Sequence, residues 1–163
     1  NSSMLKLIFK AIQMLNIYIY TCKVLIEHQP KHHNIMGQDY DFTNKVVLIV
    51  EDIDTSSRFY KAALKTTNAK LILVENGQTA MDVFDSSKNI DLVFLDLNLP
   101  DFDGFEVLKH IRKSDKNIPV VVQTAYMLSG EEETSYQLGA NDFITKPITI
   151  DVLQKTIAKN LVD

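Results

Sequence analysis

Five short apolar runs from Lys45 onward, each followed by a segment with helical spacing, constrain the fold of this chain more than any other feature. Most of the runs consist of consecutive Val, Ile, Leu and Phe residues. Continuous runs of this kind are typical of strands that are buried on both faces, as in a parallel sheet. Their alternation with helices predicts an α/β fold in which helices cover both faces of a five-stranded parallel sheet. The runs are 46–50, 71–74, 92–95, 120–122 and 142–145.

The segments between the runs carry signals that begin and end helices. The first helix is expected to begin at Asp54 or Thr55, either of which can serve as its N-cap. Ser129 and Glu132 have the spacing of a capping box for the fourth helix, and Gly139 is expected to end that helix in the left-handed conformation. The last helix carries an apolar stripe that is expected to face the core, formed by Ile150, Leu153, Ile157 and Leu161.

Composition and charge narrow the classes of function. Hydrophobic residues make up 45% of the chain and charged residues 23%, as in globular proteins. The net charge of -4 argues against direct binding of nucleic acid, because a phosphate backbone requires a basic face on the protein. The single cysteine, Cys22, excludes an internal disulfide and fits a reducing compartment.

Residues 1–43 are predicted to be an N-terminal extension and linker before a domain that spans 44–163. Residues 4–26 are mostly apolar and are expected to form a helix outside the fold. Their charge-free run, 11–22, is shorter than the roughly 20 residues of a membrane span, so a membrane role is expected only through 4–26 or a larger parent protein. The alternative to a plain extension is that these residues form a dimerising or membrane-proximal helix. Three histidines are assigned to a solvated linker, since only Glu27 could join them in binding a metal: His28, His32 and His33.

Polar or charged residues stand where four of the predicted strands end. Glu51 and Asp52 follow the first run, Asp96 follows the third, Thr124 ends the fourth and Lys146 follows the fifth. Right-handed crossovers place the loops after parallel strands at one edge of the sheet, which is where such sheets bind ligands. We therefore expect these five side chains to meet in one pocket.

Three carboxylates in one pocket repel one another, by roughly 4 kcal/mol for two charges about 4 Å apart in a partly screened site. Mg²⁺ relieves this repulsion because it prefers oxygen ligands. A carboxylate nucleophile with Mg²⁺, a lysine and a hydroxyl suits phosphoryl transfer onto Asp96, which needs no deprotonation at neutral pH. Taken singly, each of these residues is more often a cap, a turn residue or a surface residue. Jointly they indicate a phosphoacceptor site.

Four motifs that occur in order carry a resemblance to a known family. They are Val-Leu-Ile-Val-Glu-Asp at 47–52, Val-Phe-Leu-Asp-Leu-Asn-Leu-Pro-Asp-Phe-Asp-Gly at 93–104, Val-Val-Gln-Thr-Ala at 121–125 and Asp-Phe-Ile-Thr-Lys-Pro at 142–147. Over residues 44–162 the chain resembles the receiver domain of two-component response regulators. The resemblance implies a doubly wound, flavodoxin-like sheet with the strand order 2-1-3-4-5.

The resemblance also implies a role for each matching position in the pocket. Asp96 would be the phosphorylated residue. The side chains of Glu51, Asp52 and Asp96 would bind Mg²⁺, together with the backbone carbonyl of Asn98. Lys146 would contact a phosphoryl oxygen.

A conformational switch is implied by the same resemblance. Thr124 would hydrogen-bond the phosphoryl group and move toward it. Phe143 occupies the aromatic switch position, although a plain core residue is nearly as good an interpretation of it. Ala125 is small and would leave room for a phosphodonor, and the Lys146–Pro147 peptide bond would be cis.

A receiver is expected to be cytoplasmic and to catalyse only its own phosphorylation and dephosphorylation. Its expected partners are a histidine kinase or phosphotransfer protein and a downstream protein target. One alternative is an aspartyl-phosphate hydrolase of the haloacid dehalogenase type, suggested by Asp52 and Asp54 but opposed by Ser56, where that family has Thr or Val. A second alternative is an interaction module that is not phosphorylated. The sequence leaves open whether the domain stands alone or belongs to a larger regulator or hybrid kinase.

Overall fold

The computed structural model describes residues 40–87, 89–125 and 130–161. Most of the predicted N-terminal extension lies outside the described residues, including its apolar segment 4–26 and its three histidines. Ser129 also lies outside them, and the expected capping box is wrong, because the N-cap of the fourth helix is Gly130, which has no side chain to cap it. In the part of the chain that is described, no helix is both long and apolar enough to cross a membrane.

The five predicted strands form one sheet in the described part of the chain, and every neighbouring pair is parallel. The order across the sheet is β2-β1-β3-β4-β5, so the predicted doubly wound α/β fold is confirmed. Every side chain of β3 and β4 is buried, which explains why their runs are continuously apolar. The strands are β1 Val46–Val50, β2 Lys70–Val74, β3 Leu92–Asp96, β4 Val120–Thr124 and β5 Asp142–Thr145.

One helix follows each strand in the described ranges. Asn76 caps the second helix by accepting a hydrogen bond from the backbone N of Thr79 at 2.8 Å, and Asp103 caps the third through the backbone N of Phe105 at 2.9 Å. Gly139 has a φ of 96° just beyond the fourth helix, as predicted. The helices are α1 Asp54–Ala63, α2 Gly77–Ser86, α3 Gly104–Ser114, α4 Glu131–Gln137 and α5 Ile150–Leu161.

The expected cap of α1 is wrong. The N-cap is Ile53, whose side chain makes no capping hydrogen bond, and Asp54 is the first residue of the helix. The carboxylate of Asp54 instead pairs with Arg58 one turn later, at 2.8 Å on the exposed surface. An acid in the first turn of a helix interacts favourably with the helix dipole. Asp54 can therefore stabilise the start of α1 without capping it.

The core consists of two apolar layers, one on each face of the sheet. Alternate residues of β1 enter different layers, as the twofold repeat of a strand requires. Leu48 and Val50 pack in the layer that α2 and α3 cover, whereas Val47 and Ile49 pack in the layer that α1 and α5 cover.

The edges of this core differ from the sequence-based expectation at two points. Phe42 falls in the predicted linker, yet it is only 6% exposed and packs in the layer with α1 and α5, so the packed domain begins before residue 44. Ile150 was expected to face the core but is 47% exposed. The buried Ile148 takes the core position at this end of α5 instead.

Gly104 should tolerate substitution far less than Gly130. A Cβ at Gly104 would lie 2.5 Å from the backbone O of Asp96, whereas a Cβ at Gly130 would meet no atom of the described residues within 4 Å. Gly104→Ala is expected to lower the free energy of unfolding by about 3 kcal/mol, since backbone cannot move aside easily. Gly130→Ala, at a φ of 92°, is expected to cost about 1 kcal/mol. Urea unfolding measures both, and equal losses would contradict the close approach.

Candidate phosphoacceptor site

The ends of β1, β3 and β5 bring two carboxylates and one ammonium group together. Lys146 Nζ donates a hydrogen bond to Glu51 Oε2 at 2.6 Å and a second to Asp96 Oδ2. The side chain of Lys146 is 7% exposed, that of Asp96 is 2% exposed and that of Glu51 is fully buried. These three predicted site residues therefore form a desolvated ion cluster although they are far apart in sequence.

Burial and charge shift the pKa values of the cluster in a consistent way. Burial raises the pKa of Glu51 to about 7, although the neighbouring Lys146 ammonium opposes this shift. Burial alone would lower the pKa of Lys146, but Asp96 and Glu51 outweigh it and hold that pKa above its usual value. Lys146 is therefore a fixed positive charge, whereas Glu51 is poised to bind or release a proton near neutral pH.

Asp52 completes a group of oxygen donors. Glu51, Asp52 and Asp96 each offer one carboxylate oxygen, and these oxygens all lie within 4.8 Å of one another. Hard oxygen ligands at this spacing fit Mg²⁺, which usually keeps some water or phosphate ligands as well. Asp52 is the only one of the three that is partly exposed, so solvent reaches the group from its side.

Asn98 connects Asp96 to Thr124. Its backbone N donates to Asp96 Oδ1 at 2.8 Å, and its side-chain Nδ2 donates to Thr124 Oγ1 at 3.4 Å. The Thr124 hydroxyl also lies 3.5 Å from Glu131 Oε2 at the start of α4. Asn98 therefore links the predicted switch residue, Thr124, to the acceptor, Asp96. The sequence did not indicate this side-chain contact of Asn98. A metal-binding role for the Asn98 carbonyl stays a prediction.

Phe143 and Pro147 lie on opposite sides of Lys146 in the sequence. Phe143 is partly buried and packs against the layer that α2 and α3 cover. The Lys146–Pro147 peptide bond is cis. Rotation of Phe143 on phosphorylation stays a prediction.

A buried polar pair beside the cluster was missed from the sequence. The hydroxyl of Tyr60 in α1 donates a hydrogen bond to Gln123 Oε1 in β4. Burial raises the pKa of Tyr60 well above its usual value, so its hydroxyl remains a donor. The available signal was a glutamine that directly follows three valines in a buried strand, because buried polar side chains need partners.

Asp101 is a second residue that the sequence did not single out. From the loop after β3 it accepts hydrogen bonds from the backbone N of Gly77 at 2.8 Å and of Gln78 at 2.9 Å. Both donors lie at the start of α2, where helix N–H groups have no intrahelical partner. Asp101 thus ties the loop that follows Asp96 to α2.

Comparisons with known proteins agree with this geometry. Residues 47–158 match the family model described as the response regulator receiver domain. The polar-differentiation response regulator DivK of Brucella anthropi is 32% identical over 121 residues, which cover 73% of this chain and 98% of that protein. A signal receiver domain from Vibrio parahaemolyticus is 35% identical with a TM-score of 0.68, covering 72% of this chain and 90% of that one.

A third relative has a metal ion in its structure. The receiver domain of the sensor histidine kinase PA1611 from Pseudomonas aeruginosa PAO1 is 26% identical, with a TM-score of 0.67. The alignment covers 73% of this chain and 98% of that one. That domain was crystallised with a magnesium ion coordinated in its active site cleft.

Glu51→Gln should stabilise the metal-free protein at high pH only. The pKa of Glu51 rises from an ordinary 4.5 to about 7 on folding, so the folded state binds more protons between these values. Stability is therefore lost through this group as the pH rises from about 4.5 to 7. In EDTA the variant is expected to exceed the wild type in unfolding free energy by up to about 3 kcal/mol at pH 8, and by almost nothing at pH 4. Urea unfolding at both pH values measures this, and a gain independent of pH would contradict it.

Proposed function

Because the chain belongs to the response regulator receiver domain family, we propose that Asp96 accepts a phosphoryl group and that the modified domain switches its binding to a downstream protein. Receiver domains are signalling modules of two-component systems, in which histidine kinases or phosphotransfer proteins supply the phosphoryl group. The observation that supports this proposal most strongly is the buried contact of Lys146 with both Glu51 and Asp96. It joins the acceptor carboxylate to a fixed positive charge at the edge where the metal-binding oxygens meet.

We assign the Mg²⁺ ligands to the carboxylates of Glu51, Asp52 and Asp96 and to the backbone carbonyl of Asn98. The close spacing of the three carboxylate oxygens supports this assignment, as does the present contact of two of them, Glu51 and Asp96, with the Lys146 ammonium. When bound, Mg²⁺ would neutralise the charge that develops on the oxygens of the transferring phosphoryl group.

The chain's own residues supply the rest of the chemistry. A carboxylate oxygen of Asp96 attacks the phosphorus atom of a phosphohistidine, and the P–N bond breaks with its electron pair left on the imidazole. Lys146 then moves its ammonium group to a phosphoryl oxygen. In the reverse direction water attacks phosphorus, the bond to Asp96 breaks and inorganic phosphate leaves. The domain thus catalyses only its own phosphorylation and dephosphorylation.

The proposed switch runs from the pocket to the surface of α4 and β5. The Thr124 hydroxyl would leave Asn98 and Glu131 for the phosphoryl group, and Phe143 would turn into the space that becomes free. A local change of charge would in this way bias an element with two states. We place this exchange in the cytoplasm, with residues 1–38 as an extension of the receiver and with no direct nucleic acid ligand.

The two alternative functions receive less support. A hydrolase of the haloacid dehalogenase type would use Asp54, but its side chain is 73% exposed on the surface of α1 and pairs with Arg58. An interaction module without phosphorylation would not need a buried lysine between two carboxylates. Burial of these charges has a desolvation cost that is offset only when the ion pairs have good geometry.

Asp96→Asn should abolish phosphorylation, because an amide oxygen is a poor nucleophile. With acetyl phosphate and Mg²⁺, the wild type is expected to gain one phosphoryl group, located on Asp96 by mass spectrometry. Asp54→Asn is the matched control and is expected to be labelled like the wild type, whereas a hydrolase would lose its activity. Label of equal extent in Asp96→Asn would contradict the proposal.

Thr124→Ala should separate phosphorylation from switching. The variant is expected to accept the phosphoryl group but to show less than about half of the wild-type change in the amide signals of α4 and β5, since the hydroxyl that follows the phosphoryl group is missing. Thr124→Ser keeps the hydroxyl and should retain the full change. Nuclear magnetic resonance spectra with and without acetyl phosphate measure both. A full change in Thr124→Ala would show that the hydroxyl is not the link.

A further inference from the structure

Gln123 has a buried donor that no described residue uses. Its side chain is fully buried in β4, and its Nε2 makes no hydrogen bond within the described part of the chain. A buried unsatisfied donor costs about 1–3 kcal/mol, and an apolar side chain such as that of Val121 would avoid this cost. The amide is therefore expensive at this position unless another state of the protein uses it.

The register of the sheet places Gln123 beside Asp96. The two residues are paired across β3 and β4, which are neighbouring parallel strands. Phe94 and Val121, two residues earlier in each strand, both pack in the layer that α1 and α5 cover. Since side chains on a strand alternate between faces, Asp96 and Gln123 project from that same face. Neighbouring strands lie about 4.8 Å apart, so the backbones of Asp96 and Gln123 are adjacent and their side chains leave the same face side by side.

Each carboxylate oxygen of the cluster already accepts a hydrogen bond in this state. Lys146 Nζ donates to Asp96 Oδ2 and to Glu51 Oε2. The backbone N of Asn98 donates to Asp96 Oδ1, and the backbone N of Ile53 donates to Glu51 Oε1 at 3.3 Å. Asp96 Oδ2 would lose its donor if the Lys146 ammonium moved to a phosphoryl group.

We propose that Gln123 Nε2 donates a hydrogen bond to the Asp96 oxygen that Lys146 leaves on phosphorylation, and that Tyr60 is the positioning residue that holds the Gln123 amide for this purpose. The proposal rests on Asp96 being the acceptor. The Tyr60 hydroxyl donates a hydrogen bond to Gln123 Oε1 and so fixes that end of the amide. The Nε2 end remains available to donate to Asp96. Tyr60 is itself only 1% exposed, so the pair is shielded from bulk solvent.

This donor would shorten the lifetime of the phosphorylated state. In this proposal phosphorus is carried by Asp96 Oδ2, the oxygen that Lys146 leaves. In hydrolysis a water oxygen attacks phosphorus, the bond between phosphorus and Oδ2 breaks, and its electron pair returns to the carboxylate. The products are inorganic phosphate and the aspartate, with one proton released to solvent. A hydrogen bond at that oxygen stabilises the departing carboxylate more than the acyl phosphate, and thus lowers the barrier.

Gln123→Met removes the donor at similar volume and is the first test. After phosphorylation with acetyl phosphate and removal of the donor, the phosphorylated fraction is followed by intact mass. The variant is expected to keep its label about fivefold longer than the wild type, corresponding to the loss of one ordinary hydrogen bond. Its urea midpoint should change little, because loss of the unsatisfied Nε2 offsets loss of the acceptor for the buried Tyr60 hydroxyl. A plain structural role would instead lower the midpoint and leave the lifetime unchanged.

Tyr60→Phe and Gln154→Met complete the test. Tyr60→Phe keeps the Gln123 amide but removes the hydroxyl that orients it, and should lengthen the lifetime of the phosphorylated state by about twofold. This variant tests the proposal if Gln123→Met fails to fold. Gln154 in α5 donates to the Ala63 carbonyl at 2.8 Å, away from the cluster, and Gln154→Met should leave the lifetime unchanged. An unchanged or shorter lifetime in the Gln123 and Tyr60 variants would overturn this inference alone. A wild type without label on Asp96 would overturn it together with the proposed function.

Discussion

The buried contact of the Lys146 ammonium with Glu51 and Asp96 is the interaction on which the site depends. Two carboxylates this close in a desolvated place repel each other by several kcal/mol, and the single positive charge makes their burial tolerable. It does not neutralise them. With Asp52 the pocket holds three acids and one base, so a net negative charge remains when all are ionised. Burial and, to a smaller extent, the Asp96 charge raise the pKa of Glu51. A proton on Glu51 would relieve part of the negative charge, and a divalent cation relieves it better.

The parallel sheet makes this contact possible. Lys146 and Glu51 are separated by 95 residues in the sequence, and only the shared direction of the strands brings their ends to one edge. The start of the loop after β3 packs so closely against Gly104 of α3 that a Cβ on this residue would not fit. Further along the same loop, Asp101 binds the start of α2. The acceptor therefore sits at the start of a loop that is fixed on both sides.

The strands, the helix order and the convergence of the strand ends could be predicted from the sequence, because buried parallel strands are continuously apolar and their polar ends are visible. The strand order came from the resemblance to receivers, since periodicity does not determine it. The cap of α1 could not be predicted from local preference, because Asp54 pairs with Arg58 instead. The partnership of Tyr60 with Gln123 joins residues 63 apart, and no local pattern indicates such a contact. The roles of the individual pocket residues remain predictions.

The most direct test of the account is a crystal structure of the protein with Mg²⁺ and beryllofluoride, a non-transferable analogue of the phosphoryl group. The analogue is expected to be joined to a carboxylate oxygen of Asp96, and the ion to be bound by Glu51, Asp52 and Asp96. Lys146 is expected to have left Glu51 for the analogue. An analogue bound away from Asp96, or an ion bound without these carboxylates, would contradict the claim that the ends of β1, β3 and β5 form a metal-assisted phosphoacceptor site.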